Sequence, residues 1–236
     1  MKRRTVEKFE LDFEFDKDAI LDSLGTRYVA YLEEKFVKES FDGNRFIRVL
    51  DIGTGTGRII ESIVRQHSVE LVGVDLSRQM INQARKRVKG VDFVLADADI
   101  LPFRSSVFDL VVAIRVLRYM SSWRQSIKEA SRIIRRSGCY VFNTSNKHSL
   151  QFFAYKKGVY LSLDLRGVLG FLEEKGFVVL RFKSQKRLPA NLYRRINGTV
   201  ALRVASLLEG IMDKVFPKSL LSTDVLIRAK RVQDSA

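Results

Sequence analysis

The run Asp51-Ile52-Gly53-Thr54-Gly55-Thr56-Gly57-Arg58 follows directly on the apolar stretch Phe46-Ile47-Arg48-Val49-Leu50. It constrains the fold more than any other segment. Glycine inside a strand or helix costs about 0.5–1 kcal/mol relative to alanine. Three glycines on alternate positions therefore mark a sharp turn where backbone approaches a ligand.

Beyond this turn, strand and helix patterns alternate. Residues 47–52 read as a first strand, and 58–66 as a helix with Ile59, Ile60, Ile63 and Val64 on one face. Residues 71–75 form a second strand, and Ser77 can cap the helix after it. Strands follow at 91–95 and 109–114, with Leu101-Pro102-Phe103 breaking the pattern between them. A helix from Ser121 or Ser122 is expected to run through Ile134 and stop at Ser137-Gly138, before a strand at 140–143. A helix at 164–175, stopped by Gly176, and strands at 177–182 and 224–229 complete the chain. Strands apolar on both faces with helices between them predict an α/β fold: a doubly wound, mostly parallel sheet. Ligands in such sheets bind beyond the carboxyl ends of the strands. Asp75, Asp97, Arg115 and Asn143 all fall at or just past such ends.

Asp75 lies 22 residues after Gly53. A carboxylate there can accept from both hydroxyls of a ribose, each charge-assisted bond contributing about 1.5–3 kcal/mol. The dinucleotide spacing G-x-G-x-x-G is not met, because the third glycine comes one position early. In Leu95-Ala96-Asp97-Ala98-Asp99, Asp97 can accept from an exocyclic amine. The Ala98 N–H can donate to a ring nitrogen, and Leu76 offers an apolar surface to an adenine face. Asp97 could instead cap a turn, and Arg58 reads as a solvent-facing helix residue.

Together "VLDIGTGTG", "VGVDLS", "ADADILPF", "FDLVVAIRVLRYM" and "CYVFNTS" resemble the class I S-adenosylmethionine-dependent methyltransferases, in that family's order and spacing over residues 46–145. The resemblance implies a Rossmann-like seven-stranded sheet with an antiparallel last strand, and S-adenosyl-L-methionine as cofactor. It implies that Asp51, Gly53, Thr54, Gly55 and Gly57 surround the methionine part. It places Asp75 and Leu76 on the nucleoside, Asp97 and Ala98 on adenine, and the Ile114–Arg115 backbone near the amino group. For a general base the sequence offers His148 and Tyr119, with Arg118 beside the latter. The Asn/Asp-Pro-Pro-Tyr/Phe run of base-amine methylation is absent after strand four, and Cys139 opens the fifth strand, where it reads as small core packing.

The chain divides into an N-terminal helical cap at 1–45 and a methyltransferase-like domain at 46–236, with a basic helical insertion at about 184–222. Residues 18–40 look helical and could fold over the cofactor, with Tyr28 or Tyr31 facing it. The insertion places Val200, Val204, Leu207, Leu208, Ile211 and Val215 on one stripe. Packing on the domain is one reading; a basic, apolar surface for a lipid-like acceptor or membrane is the other.

The net charge is +15, with −2 over residues 1–47, +8 over 48–150 and +9 over 151–236. No acid occurs between Glu174 and Glu209. Either the surface is simply solvated, or residues 175–203 form a patch for RNA or an anionic membrane. One cysteine and two histidines leave no expectation of a disulfide or a metal site. No apolar stretch follows the basic N-terminus and none is long enough to span a membrane, so a cytoplasmic protein is expected. Three functions remain open. One is methylation of a small or lipid-like molecule. Another is methylation of tRNA or rRNA. The third is a non-catalytic adaptor that binds the cofactor.

Overall fold

The computed structural model describes residues 23–147, 149, 161–185, 190–215 and 222–232. Its elements run α1 (Leu24–Lys38), β1 (Arg48–Ile52), α2 (Arg58–Val64), β2 (Glu70–Asp75), α3 (Arg78–Arg87), β3 (Asp92–Leu95) and β4 (Phe108–Ala113). A single 3-10 turn (Leu117–Tyr119) precedes α4 (Trp123–Ile133) and β5 (Ile134–Ser145). Then come α5 (Leu165–Glu174), β6 (Phe177–Gln185), α6 (Ala190–Arg195), α7 (Thr199–Val215) and β7 (Asp224–Arg231).

The seven strands form one sheet in the order β3-β2-β1-β4-β5-β7-β6. Pairing is parallel except that β7 runs antiparallel to both β5 and β6. The expected architecture is therefore present. The chain leaves the β3 edge and re-enters beside β1, so strand order reverses between β1 and β4. The loops there diverge and open a crevice.

Residues alternate between two cores along the central strands, as the period of two requires. Leu50, Val111, Tyr140, Phe142 and Ile227 face Ile127 and Ala130 of α4 and Val168 and Leu172 of α5. Val49, Leu110, Val112, Val141 and Leu226 face α2, α3 and Phe36 and Val37 of α1. Helix α1 thus shares the main core. It starts at Ser23, whose hydroxyl accepts from Thr26 N–H while Thr26 Oγ1 accepts from Ser23 N–H. Residues 18–22 of the expected helix lie outside the described residues.

Ser137-Gly138 does not stop α4. The helix ends at Ile133, and Ile134 already pairs with Phe108 in the sheet. The register then shifts, Ser137 takes φ 66°, and Gly138 sits where a Cβ would lie 2.9 Å from both Arg135 O and Asp109 O. The glycine serves close backbone approach at a bulge. Cys139 is buried in the core as expected. No helix among the described residues is long and apolar enough to cross a membrane.

Candidate functional site

Four loops leave the carboxyl tips of β1, β2, β3 and β4 and enclose a cavity of about 340 Å³. The glycine loop makes its floor. Gly53, Gly55 and Gly57 all adopt positive φ (64°, 55° and 81°). A Cβ on Gly53 would lie 2.5 Å from Val116 Cγ2, whereas one on Gly55 would meet nothing within 4 Å. Gly55 therefore borders open space that a ligand can fill. Gly57 does not line the cavity. It is the N-cap of α2, set close to Ala84 of α3.

Asp75 ties two loops together. Its Oδ2 accepts from Gly55 N–H at 2.8 Å and its Oδ1 from Ser77 N–H at 2.9 Å. Burial pushes its carboxyl up from the ordinary range, and these backbone donors offset part of that. Asp97 does cap a turn, through Oδ1 and Asp99 N–H at 2.9 Å, and it also lines the cavity with Ala98. The turn role and a ligand role are compatible, since a carboxylate has lone pairs to spare.

Asp51 is 2% exposed at the end of β1. Desolvation pushes its carboxyl up to about 7; the Thr54 hydroxyl, short of a well-formed hydrogen bond, and the Arg58 guanidinium hold it back in part. Asp51 Oδ2 and Thr54 Oγ1 are buried with no hydrogen-bond partner. Buried polar atoms ordinarily find partners, and both residues line the cavity.

Arg58 departs from the solvent-facing role expected of it. Its guanidinium donates to Glu33 Oε2 at 2.8 Å, to Glu34 Oε1 at 2.9 Å and to Ala30 O at 3.1 Å. Glu33, fully buried on α1, also accepts from Arg115 Nε at 2.9 Å. Arg115 takes a left-handed conformation (φ 63°), and its N–H donates to Asn143 Oδ1 at 2.5 Å. One carboxylate thus fastens the cap helix to the glycine loop and to the tip of β4.

The tyrosines expected to face the site do not. Tyr28 packs against the cluster of Val29, Tyr193, Ile196 and Ala205, and Tyr31 is 56% exposed. The cap residue behind the site is Glu33, which sequence reasoning missed. A signal was present: Val29, Ala30, Glu33, Phe36 and Val37 share one helical face, so an acid sits on the apolar stripe. For Arg58 the signal was a cation in the first turn of a helix, where the dipole disfavours it.

The cavity brings together Asp51, Gly53, Thr54, Gly55, Asp75, Leu76, Asp97, Ala98, Ile114, Arg115 and Tyr119. Met80 and the segment Met120-Ser121-Ser122 are among the further wall residues and were not foreseen as such. His148 lies outside the described residues. Arg118 is buried and paired with Asp224 at 3.1 Å, off the cavity. Among the described residues no group of three or more His, Cys, Asp or Glu could hold a metal ion.

Residues 50–142 match the family model described as "Methyltransferase domain". The chain is 30% identical over 118 residues to a demethylmenaquinone methyltransferase of Chlorobaculum tepidum, covering 50% of this chain and 49% of that protein. It is 35% identical over 106 residues to a malonyl-[acyl-carrier protein] O-methyltransferase of Enterobacter lignolyticus, covering 45% and 42%. The matched stretches span less than half of either relative. A crystal structure from Thermotoga maritima, described as a "SAM-dependent methyltransferase, possible histamine N-methyltransferase", superposes with a TM-score of 0.70 at 19% identity. That superposition covers 96% of this chain and 99% of that one, and at such identity it speaks for the fold.

Proposed function

We propose, from the match of residues 50–142 to the methyltransferase domain model and the fold shared with a methyltransferase structure, that the protein is a class I S-adenosylmethionine-dependent methyltransferase acting on a small or lipid-like acceptor. The observation that carries the cofactor part of the reading is the pair of unpartnered buried atoms, Asp51 Oδ2 and Thr54 Oγ1, beside the open space at Gly55. A cofactor with an ammonium group and a carboxylate, joined to a nucleoside, answers those atoms and the flanking carboxylates of Asp75 and Asp97.

When bound, S-adenosylmethionine supplies an activated methyl group on a sulfonium for in-line transfer. The protein's own part is positioning. Asp75 accepts from the ribose hydroxyls while keeping its backbone bonds. Asp97 and the Ala98 N–H meet the adenine edge, and Leu76 covers its face. Asp51, Thr54 and the backbone at Gly53, Gly55, Ile114 and Arg115 hold the methionine end; Gly57 supports the loop from outside the cavity. Tyr119, on the wall past β4, is a candidate base, or a group that orients the acceptor. Holding two reactants in line can lower the barrier by about 7–11 kcal/mol. His148 remains a candidate base from sequence alone.

Two of the similar proteins, by their names, methylate demethylmenaquinone and a malonyl carrier protein. Those names support an acceptor that is not nucleic acid. The RNA reading draws on the acid-free basic interval, and it requires binding that falls steeply with salt. The adaptor reading requires cofactor binding without turnover.

The test is transfer of radiolabelled methyl from S-adenosylmethionine into fractionated cell extract. Label in the small-molecule or lipid fraction is expected, and label in RNA alone would replace the acceptor class. Asp75→Ala should weaken cofactor binding roughly tenfold or more, the equivalent of one lost charge-assisted bond. Unchanged affinity would contradict the assigned pose.

A further inference from the structure

Helix α7 does not bury the stripe it carries. It packs through Ala205, 4% exposed, with Leu202 beside it against Val29, Tyr193 and Ile196. Val200, Val204, Leu207, Leu208 and Ile211 are 73, 52, 64, 43 and 49% exposed. The side chain of Val215 lies outside the described ones. At 100° per residue these five span an arc of about 100°, centred on the side away from Ala205 and Leu202. The expectation that the stripe packs on the domain is therefore corrected. The helix has two apolar faces, and the body of the protein takes only one.

The charges sort the same way. Glu209 turns inward, accepting from the Tyr193 hydroxyl. Arg203 is exposed on the flank of the stripe, and Arg195 is exposed just before the helix. Among the described side chains of α7, the outward face is aliphatic and basic.

We infer that this face of α7 docks on an anionic membrane surface, its aliphatic side chains at the acyl boundary and Arg195 and Arg203 among the headgroups. Contiguous exposed apolar area of this kind marks an interaction site, and an amphipathic helix with cations on its flank is the form that lies in the membrane interface. A second copy of the chain is the poorer occupant, because two such faces would bring together molecules of charge +15 each. Single-stranded RNA is poorer too. It is gripped by aromatic rings that stack on bases, and all five stripe residues are aliphatic. The inference does not depend on which acceptor is methylated.

The test is co-sedimentation of the full chain with vesicles of phosphatidylcholine, alone or mixed with phosphatidylglycerol. Binding to the mixed vesicles, weak on phosphatidylcholine alone, is expected. The double substitution Leu207→Ser with Ile211→Ser should reduce it roughly tenfold or more, through lost burial of apolar groups. Circular dichroism and cofactor binding should stay unchanged. Parent and double variant sedimenting alike would overturn the inference. So would light scattering that shows a dimer which the same substitutions dissolve, or binding to an RNA oligonucleotide with none to vesicles.

Discussion

Asp51 gives up its water to sit behind the glycine loop, and nothing in the protein fully replaces it. Its carboxyl is raised from 3.8 to about 7. A raised acid stabilises the fold through its neutral form. That contribution is complete below the lower value and is lost as pH rises through the upper one. Resistance to urea should thus decline as pH climbs from about 4 to about 8, by an amount on the order of a few kcal/mol. Asp51→Asn should flatten the decline, and a slope that survives the substitution would clear Asp51 of responsibility. The same carboxyl, met by the ammonium of the proposed cofactor, should lose its proton. Calorimetry in buffers of different ionisation enthalpy should then register proton release on binding near neutral pH. At Gly53 the backbone sets the limit. A methyl there meets Val116 at 2.5 Å and adds strain at φ 64°, so Gly53→Ala should destabilise the protein by about 1–3 kcal/mol. An unaltered midpoint would contradict both the clash with Val116 and the backbone strain.

Among the elements, α1 matters beyond its apolar face. Glu33 is fully buried, and its partners Arg58 and Arg115 keep only 17% and 22% of their side chains exposed. Removing one member of a buried pair costs up to about 3–5 kcal/mol, and here Arg115 loses its carboxylate while Arg58 keeps Glu34 and Ala30 O. Glu33→Ala should lower stability on that scale and weaken cofactor binding as well, since Arg58 and Arg115 both line the cavity. Stability lost with affinity intact would confine Glu33 to holding the cap. The existence of α1 was legible in its periodicity, but its buried acid was read past. Apolar spacing reports which face is inside, not which polar residue on that face has found a partner 25 or 82 residues away. The end of α4 failed for a related reason. Ile133 and Ile134 suit a helix and a strand equally, and pairing with Phe108 decided it.

Across the whole molecule, a net charge of +15 acts against compaction. Screening reaches about 10 Å at 0.1 M salt. Raising ionic strength from low to physiological should therefore raise the thermal midpoint, because the repulsion relieved is general and the exposed ion pairs weakened are individually worth little. A falling midpoint would mean that local pairs outweigh the overall repulsion. The mostly parallel sheet and a ligand crevice beyond its strand tips were legible beforehand in the alternation of apolar strands with helices; the antiparallel last strand was implied by the family resemblance, and the strand order came from the structure. The direction in which α7 presents its stripe was not legible.

The amino-acid order by itself determined the alternation of strands and helices, the glycine turn, and the acids waiting at the strand tips, for each depends on near neighbours in the chain. Only the tertiary structure decided that Glu33 would bind Arg58 and Arg115, that Gly57 would support the cavity from outside, and that an apolar stripe would face solvent. Those outcomes depend on which distant surfaces meet, and burial is a property of the surfaces that meet, not of the residue alone.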